Sequence, residues 1–164
     1  MEKKPTVYIM CGIPASGKST WIHNWIFENQ HDCRYVSRDE IRFALLKDGE
    51  DYFSHEQEVF RKFVDRLGEG LNKGLDVIAD ATHLNSKSRE KLLHALHTYC
   101  TDFNTICVCL ETPLEACLER NSARTGRAHV PEETLKDMHE NLSWPQFGED
   151  KSIKAIWMVR SDDE

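Results

Sequence analysis

The sequence predicts an α/β fold with a largely parallel sheet covered by helices on both faces. Three observations predict it. Strand-like and helix-like segments alternate along the chain. The strand-like runs are nearly all apolar, as in Val77-Ile78-Ala79 and Ile106–Leu110, the pattern of strands buried on both faces. The first of them, Thr6-Val7-Tyr8-Ile9-Met10, runs into Gly12-Ile13-Pro14-Ala15-Ser16-Gly17-Lys18-Ser19, a G-x-x-x-x-G-K-S loop. Trp21, Ile22, Trp25 and Ile26 follow at helical spacing, so the motif has a strand before it and a helix after it.

Strands are expected at Thr6–Cys11, Arg34–Ser37, Leu75–Asp80, Thr105–Leu110 and Ile153–Val159, with helices over 18–29, 38–48, 54–72, 86–99, 113–124 and 131–142. Ser37-Arg38-Asp39-Glu40 reads as a capping box, with Ser37 as cap and Glu40 at the third helical position. Thr112-Pro113-Leu114-Glu115 reads as a second box with proline in the first turn. Pro131 is placed to start the last helix, and Gly74 to close the long one. The tail Ser161-Asp162-Asp163-Glu164 is expected to fray. No repeat, low-complexity segment or linker interrupts the pattern.

At 164 residues a single domain over residues 1–164 is expected, long enough to bury one core. No apolar run approaches the ~20 residues needed to span a membrane. The start, Met1-Glu2-Lys3-Lys4-Pro5, lacks the shape of a signal peptide. The six cysteines (Cys11, Cys33, Cys100, Cys107, Cys109, Cys117) show no metal-finger spacing and sit mostly in apolar segments. They read as reduced core residues of a cytoplasmic protein. Cys107 and Cys109 share a strand face, but no nearby His completes a tetrahedral metal set. The net charge of −7 argues against broad electrostatic adhesion to nucleic acid and leaves room for a local basic cleft.

Ligands of parallel α/β sheets sit at the carboxyl ends of the strands, and four motifs should converge there. The first is the glycine-rich loop. Phosphate oxygens need many donors close by, and Gly12 and Gly17 let backbone N–H groups approach them without a Cβ clash. The helix N-terminus adds partial positive charge. Lys18 can reach the β- and γ-phosphates, and the Ser19 hydroxyl is placed to ligate Mg2+.

The second motif, Ser37-Arg38-Asp39-Glu40-Ile41-Arg42, puts Asp39 and Arg42 on one face of a first helical turn. A carboxylate there can accept the proton of an attacking hydroxyl, and a cation can steer an acidic acceptor. The same spacing also suits macrodipole stabilisation and an ordinary i,i+3 ion pair. The third, Val77-Ile78-Ala79-Asp80-Ala81-Thr82, is an apolar strand ending in a carboxylate that can hold Mg2+ or its waters, or cap a turn. In the fourth, Arg120-Asn121-Ser122-Ala123-Arg124-Thr125-Gly126-Arg127, Arg120 and Arg124 are i,i+4. They read as a lid offering bidentate donors to phosphate, or as cations at a helix C-terminus. His83 can line the cleft. His94 and His97 read as solvent-facing. Trp21, Trp25 and Trp157 read as core, while Trp144 is ambiguous.

These residues resemble, in order and spacing, the kinase domain of phage T4-type polynucleotide 5′-kinases. The resemblance rests on Gly12–Thr20, Ser37–Arg42, Ile78–Asn85 and Arg120–Arg124, and it covers essentially the whole chain. It implies a P-loop NTPase fold of adenylate-kinase-like strand order 2-3-1-4-5 and ATP-dependent phosphorylation of a nucleic acid 5′-hydroxyl. It also implies an assignment of residues. Gly12, Ile13, Pro14, Ala15, Ser16, Gly17, Lys18, Ser19 and Thr20, with Arg120, would hold ATP. Ser19 and Asp80 would serve Mg2+. Lys18 and Arg124 would act on the transferring phosphate, Asp39 would be the general base, and Arg42 would contact the acceptor's phosphate. T4-type enzymes also carry a phosphatase domain, for which this chain is too short. The lid stretch Arg124-Thr125-Gly126 is one residue longer than the phage form.

The expectation is therefore an ATP-dependent kinase whose acceptor is the 5′-hydroxyl of a nucleic acid. A small-molecule or nucleoside kinase of the same shape is the alternative within enzymes, and the negative charge favours it slightly. A non-catalytic NTP-binding switch is the alternative outside them; Asp39 beside Arg42 speaks against it.

Overall fold

Apolar strands with nothing polar to show to solvent need cover on both faces, and the helices of this chain supply it. The computed structural model describes residues 3–29, 32–126 and 129–160. Strands β1 (Thr6–Cys11), β2 (Cys33–Ser37), β3 (Asp76–Asp80), β4 (Asn104–Leu110) and β5 (Ile153–Val159) are all parallel, in the order β2-β3-β1-β4-β5. This is the strand order the resemblance implied. Helices α1 (Lys18–Asn29), α2 (Arg38–Leu45), α3 (Glu56–Asn72), α4 (Ser86–Leu96), α5 (Leu114–Ser122) and α6 (Glu132–Glu140) lie in the expected places. Four of them, α2, α4, α5 and α6, end two or three residues early. Leu46 turns extended, which stops α2 and opens a loop over 46–55. His97 caps α4. Arg127 and the tail Ser161–Glu164 lie outside the described residues.

The central strand β1 is buried along its whole length. Because successive strand residues face opposite ways, Val7, Ile9 and Cys11 point to one face. They meet Phe63 and Leu67 of α3 and Leu92, Leu93 and Leu96 of α4. Tyr8 and Met10 point to the other and meet Ile22 of α1. Each large apolar side chain so buried contributes about 1.5–3 kcal/mol by leaving water. Trp21, Trp25 and Trp157 gather against Tyr8 in the second cluster, as expected of packing residues, with the Tyr8 and Trp25 rings 4.9 Å apart. Trp144 packs against the first. A third cluster joins Ile13 and Ala15 of the loop to Cys117 of α5 and Leu135 of α6. All six cysteines are free thiols, four of them buried.

The caps agree in part. Ser37 accepts the Glu40 amide at 3.2 Å, as expected. Thr112 does not cap α5. Pro113 occupies that position, and the Thr112 hydroxyl donates to the Ser16 carbonyl at 2.7 Å. The full capping box belongs to α4, where Asn85 and Ser88 exchange bonds. Gly74, at φ +78, follows the end of α3 as expected. His97 is half-buried, stacked on Phe103 at 4.3 Å between centroids and 3.4 Å from Asp150, which corrects its solvent-facing reading; His94 is exposed.

One guanidinium clamps the side of the molecule away from α1. Arg89 of α4 is fully buried. Its Nε and Nη2 donate to the Glu149 carboxylate at 2.9 and 2.8 Å, and Nη1 donates to the carbonyls of His83 and Ser143 at 2.9 Å each. His83 does not line the cleft. It is buried at φ +43, its Nδ1–H donates to the Met10 carbonyl at 2.7 Å, and burial lowers its pKa to about 4. The ring therefore tethers the start of the β3–α4 connection to the end of β1.

Two outcomes follow for stability. Breaking a buried, hydrogen-bonded ion pair from one side strands the other charge. Arg89→Ala should lower the unfolding free energy in urea by about 3–5 kcal/mol; a loss below about 1 kcal/mol would show the clamp to be incidental. The unfolded chain protonates His83 near its usual value of 6.5, while the folded one resists until about pH 4. The unfolded state therefore binds more protons in that window, and stability falls as pH drops through it. Over about 2.5 pH units the contribution is about 3 kcal/mol. His83→Asn should flatten that part of the stability–pH curve; a curve parallel to wild type between pH 6.5 and 4 would sink the assignment.

Candidate active site

The loop after β1 is tied into the sheet on both sides. The Gly12 amide donates to the Thr82 carbonyl beyond β3 at 2.9 Å, and Thr112 beyond β4 holds the Ser16 carbonyl. A Cβ at Gly12 would sit 2.8 Å from the Ser16 hydroxyl and 3.3 Å from the Leu110 Cβ, so a side chain there would force the Ser16 hydroxyl to turn away. Ala15 at φ +66 and Gly17 at φ +99 curl the chain so that successive amides can face one side, the geometry of an anion-binding nest. Pro14, Ala15, Gly17, Lys18, Ser19 and Thr20 line the cleft above. Gly12, Ile13 and Ser16 form the buried floor of the loop.

Lys18 reaches back over this loop, its Nζ donating to the carbonyls of Gly12 and Ile13 at 3.1 and 2.9 Å. Burial lowers its pKa, against the pull of Asp80 and Asp39. Asp80 ends β3 at 7% exposure. Burial raises its pKa, while Lys18 and hydrogen bonds from Tyr35 and Ser19 oppose the rise. The Ser19 hydroxyl stands 3.5 Å from Asp80 Oδ2, and the Tyr35 hydroxyl of β2 donates to the same oxygen. Serine hydroxyl and under-solvated carboxylate thus form a pair of hard oxygen donors suited to Mg2+, which takes few protein ligands and completes its shell with phosphate and water.

The second strand delivers α2. Asp39 is 60% exposed toward the cleft, and Arg42, one turn on, is buried at 6%. Arg42 donates through Nε and Nη2 to both oxygens of Glu56, at 2.8 and 2.7 Å. Its Nη1 donates to Asp39 and, at 2.8 Å, to the Tyr52 hydroxyl, which in turn donates to Asp39 at 2.8 Å. Asp39 is thereby held by two donors that are themselves held. The Arg42 guanidinium lies 4.5 Å from the Tyr52 ring centroid.

The lid residues are more open. Arg124 is exposed and lines the cleft. Arg120 donates to the Ala15 carbonyl at 3.4 Å, with its Nη1 over Gly17. Asn121 between them is buried, and its amide exchanges two bonds with the Val130 backbone, at 2.7 and 2.9 Å, which ties α5 to the residue before Pro131.

The cleft that results encloses about 950 Å³ between the loop, Asp80, α2, the 46–56 connection and Arg124. It brings together Lys18, Ser19, Asp39, Arg42, Asp80 and Arg124, all singled out from sequence. Sequence reading gave no such role to Tyr35, Tyr52, Glu56, Thr112 or Asn121. No periodic pattern marks them, since each acts on a residue from another element or a distant turn. Among the described residues no cluster of three or more His, Cys, Asp or Glu forms a closed metal cage.

Residues 7–145 match the family described as AAA domain, and the chain belongs to that family. Its fold is that of a P-loop kinase domain, the fold class expected. No curated protein sequence matches. Among solved structures, a chain of the Pnkp1/Rnl/Hen1 RNA repair complex superposes with a TM-score of 0.72 at 23% identity. The match covers 87% of this chain and 45% of that one, so this chain spans less than half its length. A sugar kinase from Janibacter sp. HTCC2649 superposes with a TM-score of 0.69 at 16% identity, over 99% and 88% of the two chains. Kti12 from Chaetomium thermophilum, in complex with ADP-AlF3, gives a TM-score of 0.69 at 15% identity, over 96% and 90%. At these identities the likeness is one of fold.

Proposed function

We propose that this protein transfers the γ-phosphate of ATP to an acceptor hydroxyl, and that the acceptor is the 5′-hydroxyl of a polynucleotide. The observation that carries the proposal is Asp39: a cleft-facing carboxylate fixed by Arg42 and Tyr52, in the same cleft as Lys18 and the phosphate-binding loop. A binding switch has no need of a positioned carboxylate on the acceptor side. Similarity to a chain of an RNA repair complex and to Kti12 holding ADP-AlF3 supports the two halves of the reading, acceptor and donor.

With ATP bound, the loop amides and Lys18 take the phosphates, Lys18 exchanging its two carbonyl partners for phosphate oxygens. Ser19 and Asp80 would hold Mg2+, which would supply charge neutralisation to the phosphates when bound. The acceptor oxygen attacks the γ-phosphorus, the bond to the bridging oxygen breaks, and ADP leaves. The hydroxyl proton passes to the Asp39 carboxylate. Arg42 keeps that carboxylate in place. Arg124 from the lid stabilises charge on the transferring group, and Arg120 fixes the lid's base against the loop. Because the transition state is loose, positioning and charge stabilisation supply most of the acceleration.

A small neutral hydroxyl compound is the second reading. It is favoured by Glu40, Asp48, Glu50 and Glu56 on the acceptor side of the cleft and by the fold's likeness to a sugar kinase. The test is transfer of labelled γ-phosphate to 5′-hydroxyl oligonucleotides against a panel of sugars and nucleosides. Preference for a sugar or nucleoside would overturn the polynucleotide assignment. Asp39→Asn should keep ATP binding within a few-fold and reduce transfer by about 10²–10⁴; transfer at the wild-type rate would remove Asp39 as the base.

A further inference from the structure

Four large apolar side chains stand exposed among the described residues: Phe27, Phe53, Phe147 and Met158. Apolar residues scattered singly over a surface are ordinary. Phe53 differs from the other three because it lines the cleft. It lies on the connection between α2 and α3, on the acceptor side, with 57% of its surface open.

The ring is held in place. It meets the Tyr52 ring edge to face, with 4.7 Å between centroids and 84° between planes. Tyr52 meets Phe43 in the same manner at 6.2 Å, and the Arg42 guanidinium lies 5.9 Å from the Phe53 centroid. The Tyr52 hydroxyl donates to Asp39 and accepts from Arg42, both at 2.8 Å. Phe53 is thereby built onto the same scaffold that fixes the Asp39 carboxylate. Its open surface is a fixed aromatic wall in a cleft that otherwise presents charge.

The occupant of that wall follows from charge and shape. Asp48 and Glu50 line the same side of the cleft. They disfavour an anion beside Phe53 and accept a neutral ring. A nucleobase is flat, aromatic and uncharged, and its edge carries N–H donors that carboxylates accept. A sugar brings no π-face to the ring.

We propose that Phe53 is the stacking platform for the nucleobase of the acceptor's terminal nucleoside, and that it separates base-bearing acceptors from sugars. The inference rests on the polynucleotide reading above and names the base-binding element of that site. Tyr52 serves both groups: its ring supports Phe53, and its hydroxyl supports Asp39. A base laid on Phe53 is therefore placed by the same residue that places the carboxylate. Every base has a π-face, so Phe53 selects for the presence of a base without choosing which.

The experiment compares two short 5′-hydroxyl oligonucleotides that differ only at the terminal residue, one carrying adenine and the other abasic. Wild type should show a KM about 20-fold lower for the base-bearing acceptor, the size of one base–aromatic stack. In Phe53→Ala the KM for that acceptor should rise until the ratio is within about threefold of unity. Phe53→Trp should keep or enlarge the ratio. Phe53→Leu, which keeps apolar area and removes the ring, should stand nearer to Phe53→Ala than to wild type. Equilibrium binding of the same pair without ATP, read by the anisotropy of a 3′ label, should show the same ratio and the same loss. Thermal melting of each variant establishes that it is folded. A wild-type ratio near unity, a ratio that survives in Phe53→Ala, or full recovery in Phe53→Leu would overturn this inference alone. Absence of transfer to either oligonucleotide would overturn the polynucleotide reading and this inference with it.

Discussion

The site depends on how the loop after β1 is anchored. Glycine-rich phosphate loops gain their donors by exposing backbone, and exposed backbone is mobile unless something outside the loop holds it. Here the Gly12 amide is held from the β3 side and the Ser16 carbonyl from the β4 side. Both anchors are possible because β1 lies between those two strands, with all three running the same way. Ile13 and Ala15 add an apolar underside packed on Cys117 and Leu135. The sheet order, the loop geometry and the seat of α5 are therefore one constraint. A different strand order would leave the loop without one of its two polar tethers.

Charge is arranged around this anchor in two ways. Arg89 is fully buried and Glu149 mostly so, and the desolvated pair is retained because each guanidinium nitrogen has an acceptor. Their role is to join α4 to the turn at 147–149 and the strand that follows. Arg42 and Glu56 use the same bidentate geometry at the rim of the cleft, yet the third member, Asp39, stays largely exposed. In the reading proposed above, the exposed member is the one that takes the acceptor's proton. Burial thus separates two similar networks: one is closed off from solvent and the other keeps a carboxylate open to the cleft. Lys18 and Asp80 fall between them: burial disfavours the charge of each, and each favours the charge of the other.

Much of this was legible in the sequence. The alternation of apolar strands and amphipathic helices located the five strands and six α-helices of the described residues, because period and length are local properties. Lys18, Ser19, Asp39, Asp80 and Arg124 stood at motif positions, and the structure places them around one cleft. What local pattern could not reveal were the partners. Glu56 opens α3, where an acid is expected for the helix dipole alone, and its pairing with Arg42 spans the 46–55 loop. Tyr35 reads as a strand residue until β2 and β3 are placed side by side. Thr112 read as a helix cap because a hydroxyl before a proline normally is one; its actual partner lies 96 residues away. His83 failed for the opposite reason. It follows a strand-end carboxylate at a distance that suits a cleft residue, but a left-handed turn rotates its ring into the core.

The fold by itself does not separate acceptors, since sugar kinase and RNA repair structures share it with this chain. Separation has to come from the elements that differ in charge, chiefly α2 and the connection over 46–56. That connection carries Asp48, Glu50, Asp51 and Glu56 against Lys47, with His55 beside them. A long polyanion laid along it would be repelled, and screening at physiological ionic strength limits that repulsion to about 8 Å. An acceptor reaching into the cleft by its terminal nucleoside brings only the nearest phosphate within that range of the loop. On the polynucleotide reading proposed above, the acidic balance of the chain favours a substrate held at its end over one tracked along its length. The same acidic loop is what a small neutral hydroxyl compound would tolerate best. An aromatic base to lay against Phe53, carried or not, is where the two classes part.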